Sequence, residues 1–159
     1  MKASLFASAL AVAIPSAVAA TGQSTQSHTP APACPPRAAS PQEQGKIFEA
    51  FTKGFYVDYK ITDAFTNYVW VDYIQHNPTV GQGRDAAIAK LAPSASSRNT
   101  TVVHSGLVGD IGFVHHYEFG SSPLIKIIDI YRLNGSCIVE HWDAIATLTT
   151  EEINPKPLA

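Results

Sequence analysis

The sequence predicts an α+β domain, with short helices packed against one face of an antiparallel sheet. Two observations carry this. Apolar residues recur at helical spacing between Ile47 and Leu91, and after Pro93 the pattern changes to β-rich runs separated by turn signals. The size agrees: 159 residues, 45% of them hydrophobic, make one domain rather than two.

The first helix starts at Ser40-Pro41-Gln42-Glu43, where serine can cap, proline suits the first helical position and glutamate stands three after the cap. Ile47, Phe48, Phe51 and Phe55 then form its apolar face. Asp63 is placed to cap a second helix carrying Ala64, Phe65, Tyr68 and Val69, and Tyr73 to Pro78 reads as a short extended stretch leaving it. Gly83-Arg84-Asp85 opens a third helix through Ala86, Ala87, Ile88 and Leu91, stopped by Pro93. The β-rich runs begin at Thr100–His104, Ile111–Phe119, Ile125–Leu133 and Ser136–Leu148, with turn signals at Gly109-Asp110, Gly120 to Pro123 and Asn134-Gly135.

Residues 1–20 read as a cleaved secretory leader: Lys2, an apolar stretch from Leu5 to Val18, and small residues ending at Ala20. That stretch is short for a bilayer span, and no later run reaches the roughly 18 apolar residues a transmembrane helix needs. The expected product is secreted or held in the secretory lumen. Residues 21–41, rich in Pro, Ser, Thr and Ala, form a linker arm with too few large apolar groups to pack. The domain spans 42–150, and 151–159 is a tail. The two cysteines, Cys34 and Cys137, suit a single bridge from the arm to the late core, with two free thiols as the alternative. Asn99-Thr100-Thr101 and Asn134-Gly135-Ser136 are glycosylation sequons, whereas Pro78 disqualifies Asn77.

Charge narrows the function. A net charge of −2 with only 15% charged residues provides no basic stripe for nucleic acid and no polybasic patch for a membrane surface. There is no serine-nucleophile elbow, phosphate-binding glycine loop or dinucleotide fingerprint, so no cofactor is expected. His115 and His116 are adjacent on a strand, point to opposite faces and cannot share one ion; no metal is expected either.

What remains is acid/base chemistry. Asp129 is the most informative residue, a carboxylate set among Ile127, Ile128, Ile130 and Tyr131 in a central strand. Burial there raises a carboxyl pKa and makes a proton-transfer group near neutral pH, unless the side chain turns to solvent or pairs with Arg132 or a histidine for structure alone. His76, His104, His115, His116 and His141 are the candidate partners. The hairpin register decides which: a two-residue Asn134-Gly135 loop sets Asp129 opposite Glu140, and a three-residue loop with a glycine bulge sets it opposite His141. The second is electrostatically better and is the expected one.

The order of five blocks, Tyr73-Ile74-Gln75-His76-Asn77-Pro78, Gly83, Gly109-Asp110, Asp129-Ile130-Tyr131-Arg132 and Ile138-Val139-Glu140-His141-Trp142-Asp143, resembles the SnoaL-like polyketide-cyclase branch of the nuclear-transport-factor-2-like superfamily. The resemblance covers residues 44 to 150. It implies a curved sheet forming a cone closed by the N-terminal helices, a pocket inside that cone, and a homodimer through the outer sheet face. It also implies that Asp129 is the acid/base group and favours His115 over His116 by its place after the Gly-Asp turn; the residues themselves nominate His141, His115 or His76 as the catalytic partner that hydrogen-bonds the developing enolate oxygen. Isomerases of this fold carry an aspartate base where Asn77 stands, and an amide cannot be a base, so a ketosteroid-isomerase mechanism does not transfer. The expected function is a cofactor-free cyclase, isomerase or dehydratase acting on a small hydrophobic carbonyl compound. The alternative is a secreted protein of the same fold that binds a hydrophobic ligand without chemistry.

Overall fold

The structure is a computed structural model that describes residues 32–119, 124–148 and 153. The chain runs α1 (Pro41–Thr52), a π-helical turn (Lys53–Val57), α2 (Ile61–Tyr68), β1 (Val69–Gln75), α3 (Arg84–Leu91), a 3₁₀ segment (Ala92–Ser97), then β2 (Thr100–Val108), β3 (Ile111–Glu118), β4 (Ile125–Asn134) and β5 (Cys137–Thr147). The strands form one sheet in the order β1-β5-β4-β3-β2. The α+β architecture is the predicted one, with one difference: β2 to β5 pair antiparallel, but β1 pairs parallel with β5, so the sheet is mixed. The sheet does not close on itself; the helices cover its concave face.

Local chemistry explains the elements. The Ser40 hydroxyl accepts the Glu43 N–H at the start of α1, with Pro41 in the first turn. Phe48, Phe51, Phe55 and Phe65 pack edge-to-face and stacked with Tyr131 beneath them, and this aromatic cluster is the core between helices and sheet. Helix α1 approaches so closely that a Cβ on Gly112 would lie 2.5 Å from the Phe48 ring. Two boundaries differ from the sequence pattern. Lys60, not Asp63, precedes α2, leaving Asp63 in its first turn. Val69 belongs to β1, because it is wholly buried against β5 opposite Ile138.

The end of the arm docks on the domain. Cys34 and Cys137 are bridged, with Cα atoms 5.1 Å apart. The Ser136 N–H donates to the Arg37 carbonyl (2.9 Å), the Ser136 hydroxyl donates to the Ala33 carbonyl, and Gln44 Nε2 donates to the Gly135 carbonyl (2.9 Å). These contacts fall on the turn of the β4–β5 hairpin. Asn134 pairs with Cys137, so the chain turns through Gly135-Ser136, with Gly135 at φ 55° and the Arg37 carbonyl pressed against its Cα. An irregularity after Arg132 then shifts the register, and Asp129 faces Asp143 while His141 faces Tyr131. Neither sequence-based register is the observed one. Of the leader, linker and tail assignments, residues 1–20 and 21–31 lie outside the described residues, as does all of 151–159 except Ile153.

Candidate active site

Alternation along β4 sends Ile127, Asp129 and Tyr131 to the concave face; on β3 it sends Val114 and His116, and on β5 His141 and Asp143. All of these but Val114, together with Phe55, Phe65 and Tyr73 from the helical side and β1, line an open cavity of about 510 Å³. Asp129 lies at its base, 7% exposed.

The Asp129 carboxylate accepts three hydrogen bonds. Oδ2 takes the Tyr56 hydroxyl and His116 Nε2–H (2.9 Å), and Oδ1 takes His141 Nε2–H (3.0 Å). Burial pushes the carboxyl up, but the hydrogen bonds and charges of His116 and His141 outweigh it and hold it well below the usual carboxylate range. This reverses the direction expected from burial among isoleucines. Two histidines face the group, not one.

Donor and acceptor counting orients the Gln75 amide. The Asn77 backbone N–H donates to Gln75 Oε1 (2.9 Å) and Gln75 Nε2 donates to the Tyr73 hydroxyl (2.6 Å), so Oε1 is the amide oxygen. That oxygen faces His141 Nδ1 at 2.8 Å. Both nitrogens of His141 therefore lie against oxygen atoms, Nδ1 on Gln75 Oε1 and Nε2 on Asp129 Oδ1. His116 donates from Nε2, while its buried Nδ1 has no partner among the described residues. Tyr131 donates to Tyr56 (2.6 Å), whose own proton goes to Asp129. Burial, then the Asp129 charge, pushes both phenols up; Arg98 pulls Tyr131 the other way. Asp143, half-buried at the cavity wall, accepts from Asn77 Nδ2, whose Oδ1 is held by Thr79 N–H and Oγ–H (2.8 and 2.7 Å).

Asp129, His141 and Asp143 bring ligand-type atoms within 4.8 Å of one another, the spacing of a cation site. Every one of these side chains already spends atoms on protein partners, and an ion would have to displace the Asp129–His141 or His141–Gln75 contact. The donor set fits a proton network better than a metal shell.

Of the sequence-nominated residues, the structure brings Asp129 and His141 together, diagonally across β4 and β5. It does not bring His76 or His115 to them. His76 is exposed on the convex side, stacked on Trp142 (5.1 Å between centroids, 4° between planes) and hydrogen-bonded to Glu140 (2.9 Å), which also takes Arg132. The His76 bond, opposed by desolvation and aided by Arg132, holds Glu140 below its ordinary value. His115 also faces outward, stacked on His104 at 5.8 Å; partial desolvation, then Lys126 and the neighbouring histidines, lower its pKa. His116, its neighbour, takes the inner position because Val114 and His116 share Asp129's face. Tyr56, His116, Gln75 and Asp143 complete the site. Tyr56 falls outside the helical period of α1 and reaches inward because the π-helical turn admits an extra residue.

No protein-family model and no curated protein matches the sequence. Solved structures do. An NTF2-like protein of unknown function from Burkholderia xenovorans LB400 matches with a TM-score of 0.58 at 12% identity, over 70% of this chain and 89% of that one. A protein assigned as a SnoaL-like polyketide cyclase, from Jannaschia sp. CCS1, matches with 0.53 at 13%, over 69% and 90%. An LEH-like epoxide hydrolase from M. tuberculosis matches with 0.52 at 12%, over 66% and 84%. At such identities the likeness is one of fold: this chain has the NTF2-like fold of the SnoaL-like proteins, the fold its motifs point to.

Proposed function

We propose that the protein is a cofactor-free acid/base enzyme that moves a proton beside the carbonyl of a small, mostly apolar compound, as a cyclase, isomerase or dehydratase does. The observation that carries this is the buried Asp129 carboxylate, held well below the usual carboxylate range at a cavity with aromatic walls and hydrogen-bonded there to His116 and His141. Asp129 is in the form that accepts a proton. His141, hydrogen-bonded to that carboxylate, stabilises the enolate that forms as the proton leaves. A carboxylate held so far down is a weak base, so it suits an activated carbon, such as one between two carbonyls in a polyketide-like chain. Asn77 holds Asp143 as a second carboxylate on the wall, suited to receive or return a proton later in the cycle.

The experiment is deuterium exchange. Cyclic ketones and β-keto esters are incubated in D₂O with the protein, and incorporation next to the carbonyl is read by NMR above the uncatalysed rate. A ligand-binding protein without chemistry is the second reading, favoured by the three protein donors already on Asp129's oxygens; it predicts binding without exchange. The leader-like residues 1–20 support export, and an intact mass beginning near Thr21 on secreted material tests it. Asn99 and Asn134 are both exposed, but Ser136 of the second sequon is wholly buried, so a glycan at Asn134 would have to be added before folding.

A further inference from the structure

Arg98 lines the same cavity, between the 3₁₀ segment and β2. Its side chain is nine-tenths buried. The guanidinium carbon lies 4.7 Å from the centre of the Phe55 ring, which fixes its plane. A guanidinium has five N–H donors, and among the described residues only one bond is made, from Nη2 to Glu118 Oε1 at 2.6 Å. Nε is closed to solvent and has no partner among the described residues, so the donors left for a ligand are those on Nη1 and Nη2. Glu118 therefore neutralises the charge but leaves the fork open, since one oxygen engages one nitrogen. An always-charged group, stacked, buried and left with unused donors on a cavity wall, is built for an oxygen ligand that arrives from the cavity. Lys90 adds a second positive charge to that wall. Arg98, Asp129 and Tyr131 line one and the same cavity.

We propose that Arg98 binds a carboxylate on the ligand, so that the compound taken by this cavity is an organic acid with an aromatic or alicyclic body. Phe55, Phe65 and Ile127 cover the apolar body, Arg98 takes the acid group, and the carbonyl lies toward Asp129 and His141. That the acid is a substrate rests on the acid/base reading above; that it binds does not.

The probes are 2-naphthoate and the neutral ketone 2-acetonaphthone, of matched shape, measured by calorimetry on the full protein. In the wild type, naphthoate binds at least tenfold tighter than the ketone, and the preference shrinks with added salt. Arg98→Met keeps the stem over Phe55 and removes the donors; it abolishes the preference and leaves ketone affinity within about threefold. Glu118→Gln removes the competing carboxylate, and naphthoate tightens by tenfold or more. Equal affinities of the two probes in the wild type overturn the proposal, as does a preference that survives in Arg98→Met. If Arg98→Met does not fold, an unchanged naphthoate affinity in Glu118→Gln overturns it alone. A clear naphthoate preference with no deuterium exchange on any ketone leaves Arg98's role standing and removes the catalytic reading instead.

Discussion

Replacing Asp129 by asparagine keeps the side chain's shape and exchanges one acceptor oxygen for an NH₂ group. The native carboxylate takes Tyr56 and His116 on one oxygen and His141 on the other. Whichever way the amide points, its NH₂ faces a donor, so one side of the network is lost. Hydrogen bonds to charged groups are worth about 1.5–3 kcal/mol each, and losing one partner of a buried pair costs about 3–5 kcal/mol. Some of this returns through the retained amide oxygen, which leaves a destabilisation of about 2–4 kcal/mol, or a Tm drop of about 6–16 °C for a domain of this size. The pH dependence follows from the sign of the shift. Asp129's folded pKa is depressed, so its stabilising contribution is complete above the unfolded value of about 3.9 and is lost as pH falls from there toward the folded value. Melting curves by circular dichroism at pH 7, 5, 4 and 3 should show a constant gap between wild type and Asp129→Asn at the upper two values and a narrowing gap below pH 4. A gap under about 3 °C at pH 7, or one that widens on acidification, refutes the charged network.

The bridge between Cys34 and Cys137 closes a loop with a sequence separation of 103, for which the chain-entropy account gives about 4–5 kcal/mol. Cys137→Ser should lower Tm by more than 8 °C, and alkylation of the unreduced wild type should label neither cysteine. Gly135→Ala puts a methyl against the Arg37 carbonyl at a positive φ. It should detach the arm and cost about 2 kcal/mol or more in denaturant melts, while Gly45→Ala, with open space around it, should not. Phe113, Ile128 and Ile130 are exposed on the convex sheet face. The protein should run as a dimer in light scattering at high micromolar concentration, and Ile130→Glu should make it monomeric; a monomeric wild type would remove that face from consideration.

What the sequence made legible was mostly periodic. The four β runs were readable because Gly109-Asp110 and Asn134-Gly135 interrupt alternating patterns, and Ser40-Pro41 announces its helix through capping chemistry alone. Asp129 was readable as a misfit: a carboxylate among isoleucines needs a reason. The rest depended on contacts remote in the chain. The β4–β5 hairpin is held at Ser136 and Cys137 by an arm a hundred residues upstream, and no local pattern carries that. His115 and His116 differ by one position, so choosing between them needs the pairing partner of β3. Tyr56 was hidden by a π-helical turn that breaks the 3.6 period. Asp143 stood in the last motif block, two positions from His141 and hence on its face, a signal that could have been drawn from alternation. Arg98, before β2 and outside any motif, gave no sign.

The central claim is that Asp129 takes a proton from the ligand while His141 stabilises the enolate, rather than the two merely holding the core together. Deuterium incorporation beside a carbonyl, measured per folded molecule for wild type, Asp129→Asn and His141→Gln, tests it most directly. The account predicts that each substitution lowers the exchange rate by about 10²–10⁴-fold, while ligand affinity stays within a few-fold. Exchange that persists at the wild-type rate in folded Asp129→Asn protein would contradict it.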